Sequence, residues 1–164
     1  MKIFIISLKG YQERRDFQIS QAKKHNLEIE FIDAINGSQL TENDLQQAAN
    51  KWTRNIFPKD IGCFHSHRKA WKRVSQEKDK CLIIEDDVIF CDRIKKILNY
   101  IERVSDEWNV AYDLEFVPRK HIFGKKIIWT ENLTKTNAIK IYQNKDGLGA
   151  YIIAPKLASK IYHE

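Results

Sequence analysis

Apolar positions in this chain fall into two kinds of block: short runs of consecutive β-branched and aromatic residues, and longer charged stretches with apolar residues three or four apart. The first kind predicts strands and the second helices. Lys2 to Leu8 is a strand run ended by Lys9-Gly10, and Ile29 to Ile35 is another closed by Asn36-Gly37. Tyr11 to His25, between them, is charged and glycine-free with Phe17 and Ala22 as its inward positions, which predicts a helix.

Thr41-Glu42-Asn43-Asp44 has the form of a capping box and opens a short helix, followed by a loop containing Trp52 and Pro58. With Asp60 as N-cap, Ile61, Phe64, His67, Trp71 and Val74 recur at helical spacing, and Cys81 to Phe90 reads as a central strand. Asp92 then caps a helix with Ile94, Ile97, Leu98, Ile101 and Val104 on one stripe. Val110 to Val117, Lys125 to Trp129, Ala138 to Tyr142 and Gly149 to Ala154 are strand-like, and Pro155 opens a terminal helix.

Strand–helix alternation in the first two thirds predicts an α/β fold: a three-layer sandwich with a mostly parallel central sheet and a more β-rich C-terminal part. Such sheets bind ligands beyond the carboxyl ends of their strands.

One run stands out against this pattern. Leu82 to Phe90, LIIEDDVIF, sets three consecutive carboxylates inside an apolar stretch, and a carboxylate taken out of water is costly unless something pairs with it. On a strand, Glu85 and Asp87 share a face and Asp86 takes the other. Mg²⁺ or Mn²⁺ takes oxygen ligands and completes its shell with water and substrate phosphates, so one or two carboxylates suffice. The alternative is that the acids merely leave the sheet and cap the turn before the next helix.

Length, charge and cysteines narrow the setting. At 164 residues the chain fits one domain, residues 1–164, able to bury a core without disulfides. A net charge of +6 favours an anionic partner, and with one acidic cluster at a strand end it points to a metal-bridged nucleotide diphosphate. Aromatics sit among basic residues at Lys51-Trp52-Thr53-Arg54, but no nucleic-acid motif accompanies them, so no nucleic acid is expected as partner. Cys63, Cys81 and Cys91 lack CxxC spacing and read as reduced, buried thiols of a cytoplasmic protein. No stretch approaches the length of a spanning helix, and the N-terminus lacks the form of a secretory signal.

Five ordered blocks carry a resemblance: I-S-L-x5-R-R at Ile6 to Arg15, F-x-D-A-x-x-G at Phe31 to Gly37, I-G-C-x-x-S-H-x-x-A-W at Ile61 to Trp71, L-I-I-E-D-D-V at Leu82 to Val88 and G-A-Y-I-I-A at Gly149 to Ala154. Together they resemble glycosyltransferase family 25, the lipooligosaccharide galactosyltransferases with collagen-modifying relatives. The resemblance implies a GT-A-like, Rossmann-type fold and inverting transfer of a hexose, galactose first, from a UDP-sugar donor to a lipooligosaccharide or lipopolysaccharide acceptor. It also implies a Mn²⁺ (or Mg²⁺) cofactor at the acidic motif.

Carried over block by block, the metal ligands are Asp87 and Glu85, with Asp86 assisting from the opposite face; Ser7, Arg14, Arg15 and Asp33 lie near the nucleotide. His67 falls on an inward stripe, as a hydrogen-bonded group beside the substrate. A zinc site of Cys63, His65 and His67 is disfavoured, because His65 points about 200° away on a helix. Asp113 aligns with an acidic position after the metal motif and is the candidate general base, with Asp146 second.

The chain also departs from the family pattern at Gly10, Phe64-His65 and Leu148, and family members continue well beyond the G-A-Y block, so it reads as a shortened member. Arg119, Lys120, Lys125 and Lys126 form a basic segment for peripheral contact with anionic lipid at the cytoplasmic membrane face, or else a solvated loop. A metal-dependent nucleotidyltransferase and an inactive nucleotide-sugar-binding relative use the same acids and are the competing readings.

Overall fold

The computed structural model describes residues 1–49, 55–104, 110–115, 121–143 and 148–164. The elements run β1 (Lys2–Ser7), α1 (Gln12–His25), β2 (Ile29–Asp33), a 3₁₀ turn (Gly37–Gln39), α2 (Glu42–Ala49), α3 (Pro58–Val74), β3 (Cys81–Glu85), α4 (Ile94–Arg103), β4 (Ala111–Asp113), β5 (Ile122–Glu131), β6 (Thr136–Gln143), β7 (Ala150–Ile153) and α5 (Pro155–His163). The basic-aromatic stretch Lys51 to Arg54, the second candidate base Asp146, Arg119 and Lys120 of the basic segment, and the end of the predicted Val110–Val117 strand fall outside the described residues.

A five-stranded sheet in the order β2-β1-β3-β7-β4 forms the centre. Strand alternation splits its side chains between two apolar layers. Phe4, Ile6, Ile83, Tyr151 and Ile153 pack with Ala70, Trp71 and Val74 of α3 and Ala158 of α5. Ile3, Ile5, Leu82, Ile84 and Ile152 pack with Ile94, Leu98 and Ile101 of α4. Burying one such isoleucine contributes about 1.5–3 kcal/mol, so these layers dominate the stability of the sheet.

The sheet is mixed, which corrects the mostly parallel arrangement expected from the sequence. β1 is parallel to β2 and β3, whereas β7 is antiparallel to both β3 and β4. The cause is where the chain leaves and re-enters. Leu114, just past β4, donates to Ala150 O at 2.9 Å, and the Glu115 carboxylate accepts from Gly149 N–H at 2.9 Å, so β7 starts at the sheet end where β4 stops and must run back. The intervening β5 and β6 form a separate antiparallel pair. Trp129 of that pair packs against Tyr100 and Tyr112, with ring centroids 5.0 and 5.9 Å away.

Several local expectations shift. β3 ends at Glu85, and Asp86 and Asp87 lie in a turn closed by Val88 N–H to Glu85 O at 3.3 Å, so strand alternation does not extend to Asp87. The predicted strand to Phe90 stops early because Gln18 and Gln21 of α1, both buried, fasten the following backbone: Gln18 donates to Asp86 O and Val88 O, Gln21 donates to Val88 O and accepts from Phe90 N–H. That polar seam, rather than the exposed Phe17, is how α1 faces inward.

α3 begins at Pro58, so Asp60 is not its N-cap but sits in the first turn, where its carboxylate accepts from Phe57 N–H at 3.1 Å. Asp92 likewise precedes α4 without capping it and pairs with Lys24 at 3.4 Å. The Thr41 box forms as read, with Thr41 Oγ1 accepting from Asp44 N–H and Asp44 accepting from Thr41 N–H. Cys81 is buried, but Cys63 and Cys91 are exposed. Among the described residues no helix is long and apolar enough to cross a membrane.

Candidate functional site

Parallel pairing aligns the carboxyl ends of β2, β1 and β3. Ser7 stands opposite Asp33, and Ile6 opposite Glu85. Beyond this edge opens a cleft of about 270 Å³, walled by the loops after β1 and β2, the first turns of α3 and the acidic turn. Two glycines let the walls meet. A Cβ on Gly37 would lie 2.2 Å from Pro58 O, and one on Gly62 would lie 2.7 Å from both Gly37 N and Ile35 O. With side chains excluded there, Ser66 of α3 accepts from Ile35 N–H at 2.8 Å and donates to Gly62 O at 2.6 Å, pinning the β2 loop to the helix.

The three acids diverge in role. Asp86 is buried and its carboxylate meets Arg14 at 2.7 Å, which compensates the charge in an otherwise costly position. Asp87 stays open to solvent, 63 % exposed at its side chain, with the same guanidinium 3.7 Å away. Glu85 turns instead toward α3, its Oε1 3.2 Å from His67 Nε2 and 3.6 Å from Cys63 Sγ.

Behind Glu85 lies a chain of polar groups inside the core. Trp71 Nε1–H, a donor only, donates to Tyr151 Oη at 2.7 Å, and Tyr151 Oη is 3.0 Å from His67 Nδ1. The tyrosine proton is thus directed at Nδ1, which places the ring proton of His67 on Nε2, facing the Glu85 carboxylate. This tautomer is assigned from the network, every member of which is satisfied by it. The His67 hydrogen bond, opposed by burial and aided by Cys63, holds the Glu85 carboxyl below its ordinary value. Partial burial of the sulfur, then the Glu85 charge, push the Cys63 thiol up to about 11, so this cysteine is a thiol rather than a nucleophile at neutral pH. Burial likewise raises the Tyr151 hydroxyl, keeping it protonated.

Six of the residues singled out in the sequence, Ser7, Arg14, His67, Glu85, Asp86 and Asp87, line the cleft. Arg15 and Asp33 stand beside it and hold each other at 2.6 Å, a hydrogen bond that lowers the Asp33 carboxyl; Arg15 also donates to Ser7 O. Asp113, exposed at the end of β4, accepts from Glu115 N–H at 2.9 Å and does not line the cleft. Tyr11, Asn36 and Lys59 do, and Tyr151 supports it from behind, none of them singled out from the sequence for a role at the site; Cys63, weighed there only as a disfavoured zinc ligand, lines it too. For Lys59 and Tyr11 no local pattern marks them; for Tyr151 the G-A-Y block was the available signal.

All five sequence blocks therefore converge here: Arg14 meets Asp86, Ser66 meets the loop after Asp33, and Tyr151 joins Trp71, His67 and Glu85. The model of glycosyltransferase family 25 (LPS biosynthesis protein) matches residues 1–164. The chain belongs to glycosyltransferase family 25. It is 30% identical over 135 residues to procollagen galactosyltransferase 2 of Homo sapiens, covering 76% of this chain and 22% of that protein. A glycosyltransferase 25 family member of Aedes aegypti is 28% identical over 124 residues, 67% of this chain and 20% of that protein. An inactive glycosyltransferase 25 family member 3 of Mus musculus is 24% identical over 145 residues, 80% of this chain and 24% of that protein. The family 25 chain described here thus spans about a fifth to a quarter of the length of these curated relatives.

Proposed function

We propose that the cleft binds the nucleotide diphosphate of a UDP-sugar in a GT-A-type fold and that the protein transfers the hexose, galactose in the first instance, with inversion to an acceptor sugar. The observation that carries this reading is the convergence of the family's blocks on a cleft at the carboxyl ends of β1 and β3, with an exposed carboxylate and two cations, Arg14 and Lys59, on its walls. Related proteins named galactosyltransferases favour galactose. The link of family 25 to LPS biosynthesis favours a lipooligosaccharide or lipopolysaccharide acceptor, whereas the relatives named procollagen galactosyltransferases favour a collagen-type acceptor. The bacterial-type glycan remains our reading of the acceptor, reached from a cytoplasmic position at the inner membrane face by peripheral contact of Lys125 and Lys126 with anionic lipid.

The donor set suits the metal expected at this motif. Asp87 offers an exposed carboxylate and Glu85 one held ionised, oxygen donors that match Mn²⁺ or Mg²⁺ completed by substrate phosphates. Asp87 and Glu85 would hold the ion, whose charge would stabilise the departing diphosphate. Arg14 positions the acidic turn through Asp86 while presenting its remaining N–H groups to the cleft. Ser7 closes the floor, and the Arg15–Asp33 pair braces the neighbouring strand ends on the nucleotide side.

Asp113 is our choice of general base. β4 lies two strands from β3 and ends at the same sheet edge, about 10 Å away at ordinary strand spacing, which leaves room for an acceptor sugar between them. The test is a transfer assay with UDP-galactose and UDP-glucose against lipooligosaccharide-type and collagen-type galactosyl acceptors, with Mn²⁺ and with chelator. Product from UDP-galactose that requires Mn²⁺ and falls at least a hundredfold in Asp113→Asn supports the reading. Transfer of a nucleotidyl group instead of the sugar would replace it, and UDP binding without any turnover would assign the chain to the binding-only relatives.

A further inference from the structure

The surface of α3 that faces the end of β3 carries a second group of metal-binding atoms, unlike the oxygen donors assigned above. Cys63 and His67 are one helical turn apart and project together. Glu85 reaches them from β3, and one ligand atom from each of the three lies within 4.8 Å of the others, with the glutamate oxygen 3.2 Å from His67 Nε2 and 3.6 Å from Cys63 Sγ. Ligands of a tetrahedral zinc ion, at about 2.0–2.3 Å from the metal, stand roughly 3.3–3.8 Å from one another. The three side chains therefore close on such an ion with shifts of about an ångström.

We propose that Cys63, His67 and Glu85 form a site for Zn²⁺ or a similarly thiophilic divalent cation, open to the cleft at its fourth position. Sulfur and imidazole select borderline-soft ions over Mg²⁺ and Mn²⁺, which prefer oxygen alone. All three residues line the cleft, so one side of the group is free for water or a ligand, the arrangement of an open rather than a closed zinc site.

A second observation points to a metal. Histidine ligands are held by a partner on the other ring nitrogen, and Tyr151 Oη already sits 3.0 Å from His67 Nδ1, itself anchored 2.7 Å from Trp71 Nε1. When Nε2 ligates, Nδ1 carries the ring proton and donates it to Tyr151 Oη, which then accepts from both Trp71 and His67 and rotates its own hydroxyl proton away from the ring. Binding releases the Cys63 thiol proton to solvent. Glu85 belongs to both donor sets, so zinc here withdraws it from the Asp87 side of the cleft; that consequence rests on the function proposed above, whereas the site does not.

The test uses metal-free full chain with no nucleotide present, so it stands apart from any test of UDP binding. Titration with Co²⁺ is expected to give a thiolate-to-cobalt charge-transfer band saturating at one equivalent, in the wild type and in Cys91→Ser, a control for the other exposed thiol. Cys63→Ser, an isosteric change, is expected to abolish the band. Zn²⁺ affinity, read by competition with a chromophoric chelator, is expected to fall 10–100-fold in Tyr151→Phe and by at least as much in His67→Gln. No thiolate band in the wild type overturns the site, as does a band that survives in Cys63→Ser or vanishes in Cys91→Ser. Equal zinc affinity in wild type and Tyr151→Phe overturns the supporting role of the tyrosine.

Discussion

The two halves of the sheet contribute unequally. The parallel half, β2-β1-β3, supplies Ser7, Arg14, His67 and the three acids to the cleft, either from strand ends or from the helices that follow. The antiparallel half supplies support: Tyr151 of β7 behind His67, and Gly149, whose carbonyl accepts from Glu85 N–H at 2.9 Å. Parallel strands must return through crossovers, so their carboxyl ends and the loops beyond them collect at one edge. Antiparallel strands bring alternate ends there, and none of the described residues of the β5–β6 pair lines the cleft. Position in the topology, rather than local sequence, decides which half lines the cleft.

Stability should divide along a different line, between the central sheet, whose two halves are both buried, and the separate β5–β6 pair. Ile83→Ala, in the buried layer under α3, is expected to cost about 2–5 kcal/mol in urea unfolding, whereas Ile127→Ala, half exposed on β5, should cost less than about 0.5 kcal/mol. Equal losses would erase the distinction between the sheet and the β5–β6 pair.

Next in size is Gly62→Ala. Its Cβ would meet backbone atoms of the β2 loop at 2.7 Å, so the loop or the helix must shift, at a cost of about 1–3 kcal/mol. The same alanine should weaken ligand binding in the cleft, whereas Gly124→Ala, with no neighbour nearer than 3.4 Å, should leave it unchanged.

Arg14→Ala leaves buried Asp86 without its cation and should cost about 1–2 kcal/mol, the guanidinium itself being half exposed. Asp86→Asn in the Arg14→Ala background should recover part of that loss by denaturant titration, since no charge is then stranded; further loss would show that Asp86 is held by other groups.

The smallest effect is in acid. Glu85 has a carboxyl lowered, chiefly by His67, from an ordinary value of 4.5. A lowered carboxyl contributes stability above the unfolded value that is lost as pH falls through the folded one. In metal-free protein the difference between wild type and Glu85→Gln should be constant from neutral pH down to about 4.5 and shrink below it, and His67→Gln should flatten that dependence.

Much of this arrangement was legible in the chain. The unbroken apolar runs at Ile3–Ile6 and Cys81–Ile84 marked the central strands, buried on both faces, and the carboxylates after Ile84 marked the edge where the cleft opens. The direction of β7 was not legible, because Gly149 to Ala154 has the same texture in either orientation, and it is set by long-range contacts such as those of Leu114 with Ala150 and Glu115 with Gly149. Glutamines are weak pattern signals, so nothing in the Tyr11–His25 stretch marked Gln18 and Gln21 as the residues that anchor the acidic turn. For the same reason the run from Glu85 to Asp87 looked like a strand with two faces, when it is a strand end with three separate partners.

The central claim is that Asp87 opens onto a nucleotide diphosphate. Calorimetry of the chain with UDP, with and without Mn²⁺, tests it most directly. One saturable site is expected, tightened by Mn²⁺, with affinity falling roughly tenfold or more in Asp87→Asn while the unfolding midpoint is unchanged, because the Asp87 side chain is exposed. Absence of UDP binding in the wild type, or binding that Mn²⁺ and Asp87→Asn leave unaltered, would contradict the claim.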